Sequence, residues 1–305
     1  MVENRYALLL EGNPYVDCVV KLDTLRWRRF TTGATLREIR CGLRALRESR
    51  YDVALDFQGL WKSALVAWLS RSRERIGFAR RWLREPSAAL LYTQHVSPHG
   101  RKHVIEMNLA LVEQLGAHTR HWRFPLPQTA ADDTYVETQL AGLETKDFIL
   151  VNPGGGWRAK CWPPESYAEL IHRLEGVLPQ QILLTGSPRE ESLIAAILQR
   201  AGSKRARYLP TNLVQFIALA RRAKLYIGGD TGPLHLAAAV GVPIVGIFGP
   251  TDPARNGPFS AADVALSNLG PISHTRREAN PSYLPGISVE SVLAAVETRL
   301  ARAHG

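Results

Sequence analysis

Short apolar runs alternate with segments of helical period along most of this chain, a pattern that predicts parallel βα units covered on both faces. In the first half it predicts strands at Tyr15–Val20 and Val53–Phe57, and helices at Thr35–Arg47, Leu60–Leu69 and Arg101–Leu115. Thr35 and Glu38 have capping-box spacing at the start of the first helix. From His121 to Thr134 the sequence HWRFPLPQTAADDT turns polar and proline-bearing, which predicts a linker. A second alternation then begins, with strand Phe148–Val151, helix Ser166–Leu178, strand Ile182–Leu184, and helices Glu190–Arg200 and Leu213–Arg221. The expected class is α/β, with a first domain over residues 1–128, a second over 129–287, and a closing helix, Ser288–Ala303, in the tail 288–305.

The run Tyr226–Pro253, YIGGDTGPLHLAAAVGVPIVGIFGPTDP, reads as strand, anion-binding turn, short helix, strand and polar turn. The apolar stretch Leu225–Gly228 stops at Gly-Asp-Thr-Gly, whose glycines let backbone N–H groups approach a ligand. Pro233 suits a first helical turn, which would aim free N–H groups and the positive end of a helix dipole at that turn. A diphosphate is the natural occupant. Asp230 and Thr231 add a carboxylate and a hydroxyl, and His235 lies one helical turn further on, so sugar hydroxyls and phosphate could be read together. The competing reading is a plain turn, with Asp230 as a helix cap and His235 packed. Thr231 to Thr251 has no Asp, Glu, Lys or Arg and is long enough to span a bilayer. Pro233, Pro243 and Pro250, with Gly232, Gly241, Gly246 and Gly249, would break such a helix, so the apolarity belongs to a buried strand-helix-strand unit.

Asn152-Pro153-Gly154-Gly155-Gly156 follows a strand and precedes a helix, where open α/β sheets bind ligands, and Lys160 could supply the cation a leaving diphosphate needs. The alternative is a solvated lysine after a flexible loop. The spacing is neither GxGxxG nor GxxxxGK[ST], which disfavours a dinucleotide dehydrogenase and a P-loop ATPase. Gly186–Glu190 ends another strand and could meet a nucleoside, or could be a capped turn. In the first half, Asp56-Phe57-Gln58-Gly59 ends a strand, so Gln58, Lys62 and Ser63 could face one ligand together, against the view that Lys62 is solvated and Asp56 a buried cap. His95, His99 and His103 are evenly spaced, but Pro98 and Gly100 break any helix that would align them for a metal. Cys161 would be reactive if Lys160 lowered its pKa, and a bystander if buried.

Length and 45% apolar content allow sizeable cores in 305 residues. A net charge of +10 favours an anionic partner: nucleic acid, an anionic membrane surface or a phosphorylated glycolipid. The basic residues, scattered as in RWRRF and RSRERIGFARRW, match no nucleic-acid-binding motif. An odd set of three cysteines, Cys18, Cys41 and Cys161, fits a reducing cytoplasm, and MVENRYALLLEGNP is neither a secretory signal nor a span.

Asp230-Thr231-Gly232-x-x-His235, an apolar strand, then Phe248-Gly249-Pro250-Thr251-Asp252-Pro253 together resemble the donor signature of the family 9 glycosyltransferases, the bacterial lipopolysaccharide heptosyltransferases. YDVALDFQGLWKSAL at Tyr51–Leu65 and NPGGGWRAKCWPPESYAEL at Asn152–Leu170 agree with the same family, and Arg84-Glu85-Pro86 with Leu90, Leu91 and Tyr92 is similar to its heptosyltransferase I branch. The resemblance implies the GT-B fold, two Rossmann-like domains facing a cleft, with the final helix packing back on the first domain. It implies inverting, metal-independent transfer of heptose from an ADP-activated donor to the lipopolysaccharide inner core, with no cofactor. Asp230, Thr231, Gly232, His235, Gly154 and Gly155 would bind the donor, and Lys160 its phosphates; Gln58, Lys62, Ser63 and Arg84 would bind the lipid A core acceptor. The enzyme would be cytoplasmic, peripheral on the inner membrane, and would bind no nucleic acid. The family opens with a strand, a glycine-bearing loop with an acidic residue, a helix and a second strand, and this chain is expected to begin after them, lacking roughly 30 or more residues of the first domain. The family's catalytic aspartate then has no match here; Asp56 of Asp56-Phe57-Gln58-Gly59 and Glu85 of Arg84-Glu85-Pro86 are the acidic residues weighed on the acceptor side. The alternatives are a non-catalytic nucleotide-sugar-binding paralogue and a basic nucleic-acid-binding protein.

Overall fold

In the first unit, Met1–Arg123, the apolar runs are short and so are the strands. The computed structural model describes residues 1–23, 33–119, 123–156, 160–268, 284 and 286–302. Strands β1 (Val2–Glu3) and β2 (Lys21–Leu22) pair in parallel across a 3-10 helix at Asn4–Leu9. Helix α1 (Gly33–Glu48) leads to β3 (Val53–Leu55), α2 (Trp61–Leu69), β4 (Glu74–Phe78), β5 (Gln94–Val96) and α3 (Val104–Glu113). Strands β3, β4 and β5 form a parallel sheet in that order. Ile76 and Phe78 from β4 pack with Ala64 of α2 and with Met107 and Leu111 of α3, so one small core is closed by both helices.

Three expectations change here. Tyr15–Val20 is not a strand: Tyr15 is 76% exposed, and pairing begins one residue later at Lys21. The expected helix at Arg101–Leu115 shortens to α3 because the His103 ring accepts the Ile105 N–H and caps it there. Strands β4 and β5 escaped prediction, since ERIGF and QHV carry charge and glycine where a buried strand would be apolar throughout. The Thr35 and Glu38 side chains lie outside the described residues.

The second unit, Phe124–Gly305, opens with α4 (Ala130–Ala141), a helix that begins inside the expected linker and runs past its end. Thr129 caps it by accepting the Asp132 N–H, and Val136 and Leu140 anchor its inner face. Then come β6 (Phe148–Asn152), α5 (Pro164–Val177), β7 (Gln181–Leu184), α6 (Glu191–Ala201), β8 (Ala206–Tyr208), α7 (Leu213–Ala220), β9 (Leu225–Gly229), α8 (Gly232–Ala239), β10 (Ile244–Phe248), α9 (Pro253–Asn256), β11 (Val264–Ser267) and α10 (Val289–Ala301). The described strands form one parallel sheet in the order β11-β10-β9-β6-β7-β8. Every residue of β6, β7, β9 and β10 is buried, as expected for parallel strands covered on both faces.

The strand order reverses between β6 and β9, where Asn152 lies in register with Gly228. Such a reversal opens a crevice at the carboxyl ends of the two strands. Helix α10 packs on α5, β10 and β11 within this unit. Its apolar face, Val292, Ala295 and Val296, joins the core beside α5, and Arg299 Nε donates to Asp263 Oδ1 at 2.8 Å.

Candidate functional site

Two loops leave the sheet at the reversal, one after β6 and one after β9, and they meet. Gly229 makes the approach possible, because a Cβ there would stand 3.1 Å from the Lys160 carbonyl oxygen. Lys160 Nζ then reaches Asp230 Oδ2 at 2.6 Å, while His235 Nε2 lies 3.3 Å from Asp230 Oδ1. Asp230 is only 8% exposed. Its burial would raise its pKa, but the hydrogen bond from His235 and the hydrogen bond and charge of Lys160 outweigh that and hold the carboxyl well below the usual range. Thr251, buried in the second polar turn, adds to the lowering although its hydroxyl makes no hydrogen bond of good geometry.

Asp230 is not the helix cap. The N-cap of α8 is Thr231, whose hydroxyl turns back toward the Gly229 carbonyl at 3.4 Å and makes no capping bond. Pro233 occupies the first turn, and a Cβ on Gly232 would meet no atom within 4 Å. The start of α8 thus faces open space with its dipole unopposed by any side-chain cap, which suits an anion.

Across the reversal, Gly154 is buried and Gly155 partly so. A Cβ on Gly154 would fall 1.8 Å from Glu190 Oε1, so the glycine makes room for the carboxylate that closes the Gly186–Glu190 segment, whose own side chain was given no role from the sequence. Glu190 is fixed by the S-x-x-E spacing that could have revealed it: its Oε2 accepts the Ser187 N–H at 2.7 Å and the Ser187 hydroxyl at 2.8 Å. Cys161 is buried, and burial, then the charge of Glu190, pushes its thiol up to about 11; it is not a lowered, reactive thiol. Lys160, Asp230, Thr231, Gly232, His235, Gly154 and Glu190 therefore gather around the ends of β6, β7 and β9.

In the first unit the turn after β3 is built around Asp56. Its Oδ1 accepts the N–H groups of Gln58 and Gly59, and its Oδ2 lies 2.8 Å from the Ser63 hydroxyl and 2.7 Å from the Tyr92 hydroxyl. Asp56 is 5% exposed and fully engaged as a buried turn anchor. Burial, then the bond to Asp56, raises the Tyr92 pKa. Ser63 faces this turn, Gln58 and Arg84 are exposed, and Lys62 Nζ pairs with Glu3 of β1 at 3.1 Å. Glu85 accepts the Trp61 N–H at 2.6 Å. Tyr92 and Glu3 were not legible as partners, since each reaches its contact across a long stretch of chain. The three histidines have separate roles: His95 meets the Ala89 carbonyl, His99 lies against Arg81, and His103 caps α3. Among the described residues no cluster of His, Cys, Asp and Glu has a metal-holding arrangement.

Residues 40–283 match the family model described as Glycosyltransferase family 9 (heptosyltransferase). The lipopolysaccharide heptosyltransferase 1 of Pseudomonas aeruginosa is 31% identical over 280 residues, spanning 88% of this chain and 74% of that protein. The structure of Escherichia coli heptosyltransferase WaaC with ADP has 25% identity and a TM-score of 0.75, covering 98% of this chain and 88% of the other. WaaC with ADP-2-deoxy-2-fluoro heptose gives 25% and 0.72, covering 97% and 88%. The α/β units belong to the GT-B fold of these enzymes. The chain is a glycosyltransferase and belongs to family 9, the heptosyltransferases.

Proposed function

We propose that this enzyme transfers a heptose from an ADP-activated donor to the inner core of lipopolysaccharide, with inversion and without a metal. The observation that carries the reading is the Lys160–Asp230 pair at the sheet reversal, beside the uncapped start of α8. The similar enzyme WaaC, whose structures hold ADP and ADP-2-deoxy-2-fluoro heptose, supports the donor, and similarity to a lipopolysaccharide heptosyltransferase supports the acceptor.

The residues divide the work by chemistry. Lys160 and the α8 dipole supply positive charge to the diphosphate as the glycosidic bond breaks, so the site has its own substitute for a metal's electrostatic role. Backbone at Gly154, Gly155 and Gly232 approaches the phosphates, and Thr231 adds a hydroxyl. Asp230 and His235 read sugar hydroxyls, and Glu190 suits the hydroxyls of a ribose. Direct displacement by the acceptor hydroxyl from the face opposite the leaving diphosphate inverts the anomeric carbon. On the acceptor side, Gln58, Lys62 and Arg84 are suited to the phosphates and acidic sugars of a lipid A core, while Ser63 shapes the turn through Asp56. The enzyme works in the cytoplasm, peripherally at the anionic inner-membrane surface, and needs neither cofactor nor nucleic acid. Among the described residues no helix is long and apolar enough to cross a membrane.

A second reading, a binding protein that holds the nucleotide sugar without transferring it, is favoured by the state of Asp56 and Glu85. Asp56 already accepts four hydrogen bonds that organise its turn, which uses both of its oxygens, and Glu85 Oε2 is committed to the Trp61 N–H. Incubation with ADP-heptose and a heptose-deficient lipopolysaccharide, followed by mass spectrometry, separates the two. An added heptose supports transfer; ADP binding with no added heptose supports the binding protein.

A further inference from the structure

Helix α2 carries three large apolar side chains on one outward stripe: Trp61, Leu65 and Trp68, at i, i+4 and i+7, are 43%, 43% and 50% exposed. Ala64 and Ala67, on the flank of this stripe, are buried and hold the helix to the unit. Trp61 is held in place, its backbone N–H on Glu85 and its indole Nε1 donating to Ser87 Oγ at 2.8 Å, so its exposed ring is a fixed feature.

Helix α1 packs beside α2 and carries a row of exposed arginines, Arg37, Arg40, Arg44 and Arg47, whose 3-4-3 spacing puts them on one face. Arg44 also pairs with Glu48, and Arg47 Nε donates to the Leu69 carbonyl at the end of α2, which joins the row to the residue after Trp68. Both helices then end in the same unusual way. Arg50, two residues past α1, and Arg71, two residues past α2, have φ of 45° and 63°, in the left-handed region where glycine is normal. Each is exposed. Placing arginine at both strained positions keeps cations at the shared end of the two helices.

We propose that this α1–α2 face docks the enzyme on a bilayer of anionic phospholipid, with the tryptophan-leucine stripe in the interface and the arginines on headgroup phosphates. Tryptophan rings favour the membrane-water boundary, and basic residues beside them gain from an anionic leaflet. Self-association through the stripe would bring two arginine rows together, which like-charge repulsion opposes. The proposal rests on the reading that the enzyme works at the inner membrane, and it assigns the surface.

The test is sedimentation of the full chain with vesicles of phosphatidylethanolamine and phosphatidylglycerol, against phosphatidylcholine alone. The wild type is expected to bind the anionic vesicles and to lose that binding at 0.5 M salt. Arg50→Gly with Arg71→Gly relieves the backbone strain, so melting temperature should hold or rise while vesicle affinity falls by about tenfold or more. Leu65→Ser with Trp68→Ser should weaken binding by about tenfold, with ADP binding by the other unit unchanged. Anionic-vesicle binding that survives both double variants overturns this surface while leaving the membrane reading intact. No binding to any vesicle overturns both, and equal binding to phosphatidylcholine overturns the proposed arginine contacts.

Discussion

Lys160 Nζ stands 2.6 Å from Asp230 Oδ2, tying the loop after β6 to the turn after β9 at the point where the strand order reverses. The pair is nearly buried, with the lysine side chain 18% and the aspartate 7% exposed, and the aspartate also holds His235. A cation is thereby kept in the crevice beside the uncapped start of α8. The same contact has consequences for stability and binding.

Asp230 gives a signed pH dependence. Its folded pKa is depressed below the unfolded value of about 3.9, so its contribution is present above that pH and lost as pH falls through the folded pKa. Asp230→Asn should destabilise by about 1–3 kcal/mol at pH 7, because Lys160 loses its partner. In urea unfolding series, the gap between wild type and variant should narrow between pH 4 and pH 2. A gap independent of pH would show that the carboxylate is not stabilised in the fold.

Two glycines should separate structure from binding. Gly232→Ala meets no protein atom, so stability should stay within about 1 kcal/mol of wild type. The new methyl group would stand where the diphosphate approaches, and ADP affinity measured by calorimetry should fall. Gly154→Ala instead collides with Glu190 and should cost about 1–2 kcal/mol by breaking the Ser187–Glu190 cap. Adding Glu190→Ala should recover most of the collision's share, a non-additivity read from thermal unfolding of the double variant.

Asp56 is a structural carboxylate in this account. Asp56→Ala should destabilise the first unit by about 2–4 kcal/mol, and Tyr92→Phe by about 1 kcal/mol. A catalytic base would instead contribute about 10²–10⁴-fold to transfer. Turnover per folded molecule is therefore expected to differ little between Asp56→Asn and wild type, and a hundredfold loss would make Asp56 the base.

The buried strands of the second unit and the Asp230 turn were legible because their residues speak locally: continuous apolar runs, then glycine beside polar groups. The resemblance to family 9 extended that reading to Lys160. Strands β4 and β5 were not legible, since ERIGF and QHV owe their place to pairing with neighbours and not to their own pattern. Helix α4 was hidden by the prolines and charges around it, although Thr129 with Asp132 carried a cap signal. In the final helix the apolar face was legible as a buried side, whereas the Arg299–Asp263 contact, between residues far apart in sequence, was not. Asp56 was open to two readings, and the distant Tyr92 hydroxyl decided for the buried anchor.

Calorimetric titration of ADP into the wild type and Lys160→Ala tests the donor site most directly. Loss of one charge-assisted contact to phosphate should weaken binding by about 10- to 100-fold, with the fold retained by circular dichroism. Equal ADP affinity in the two proteins would contradict the assignment of this crevice to the donor diphosphate.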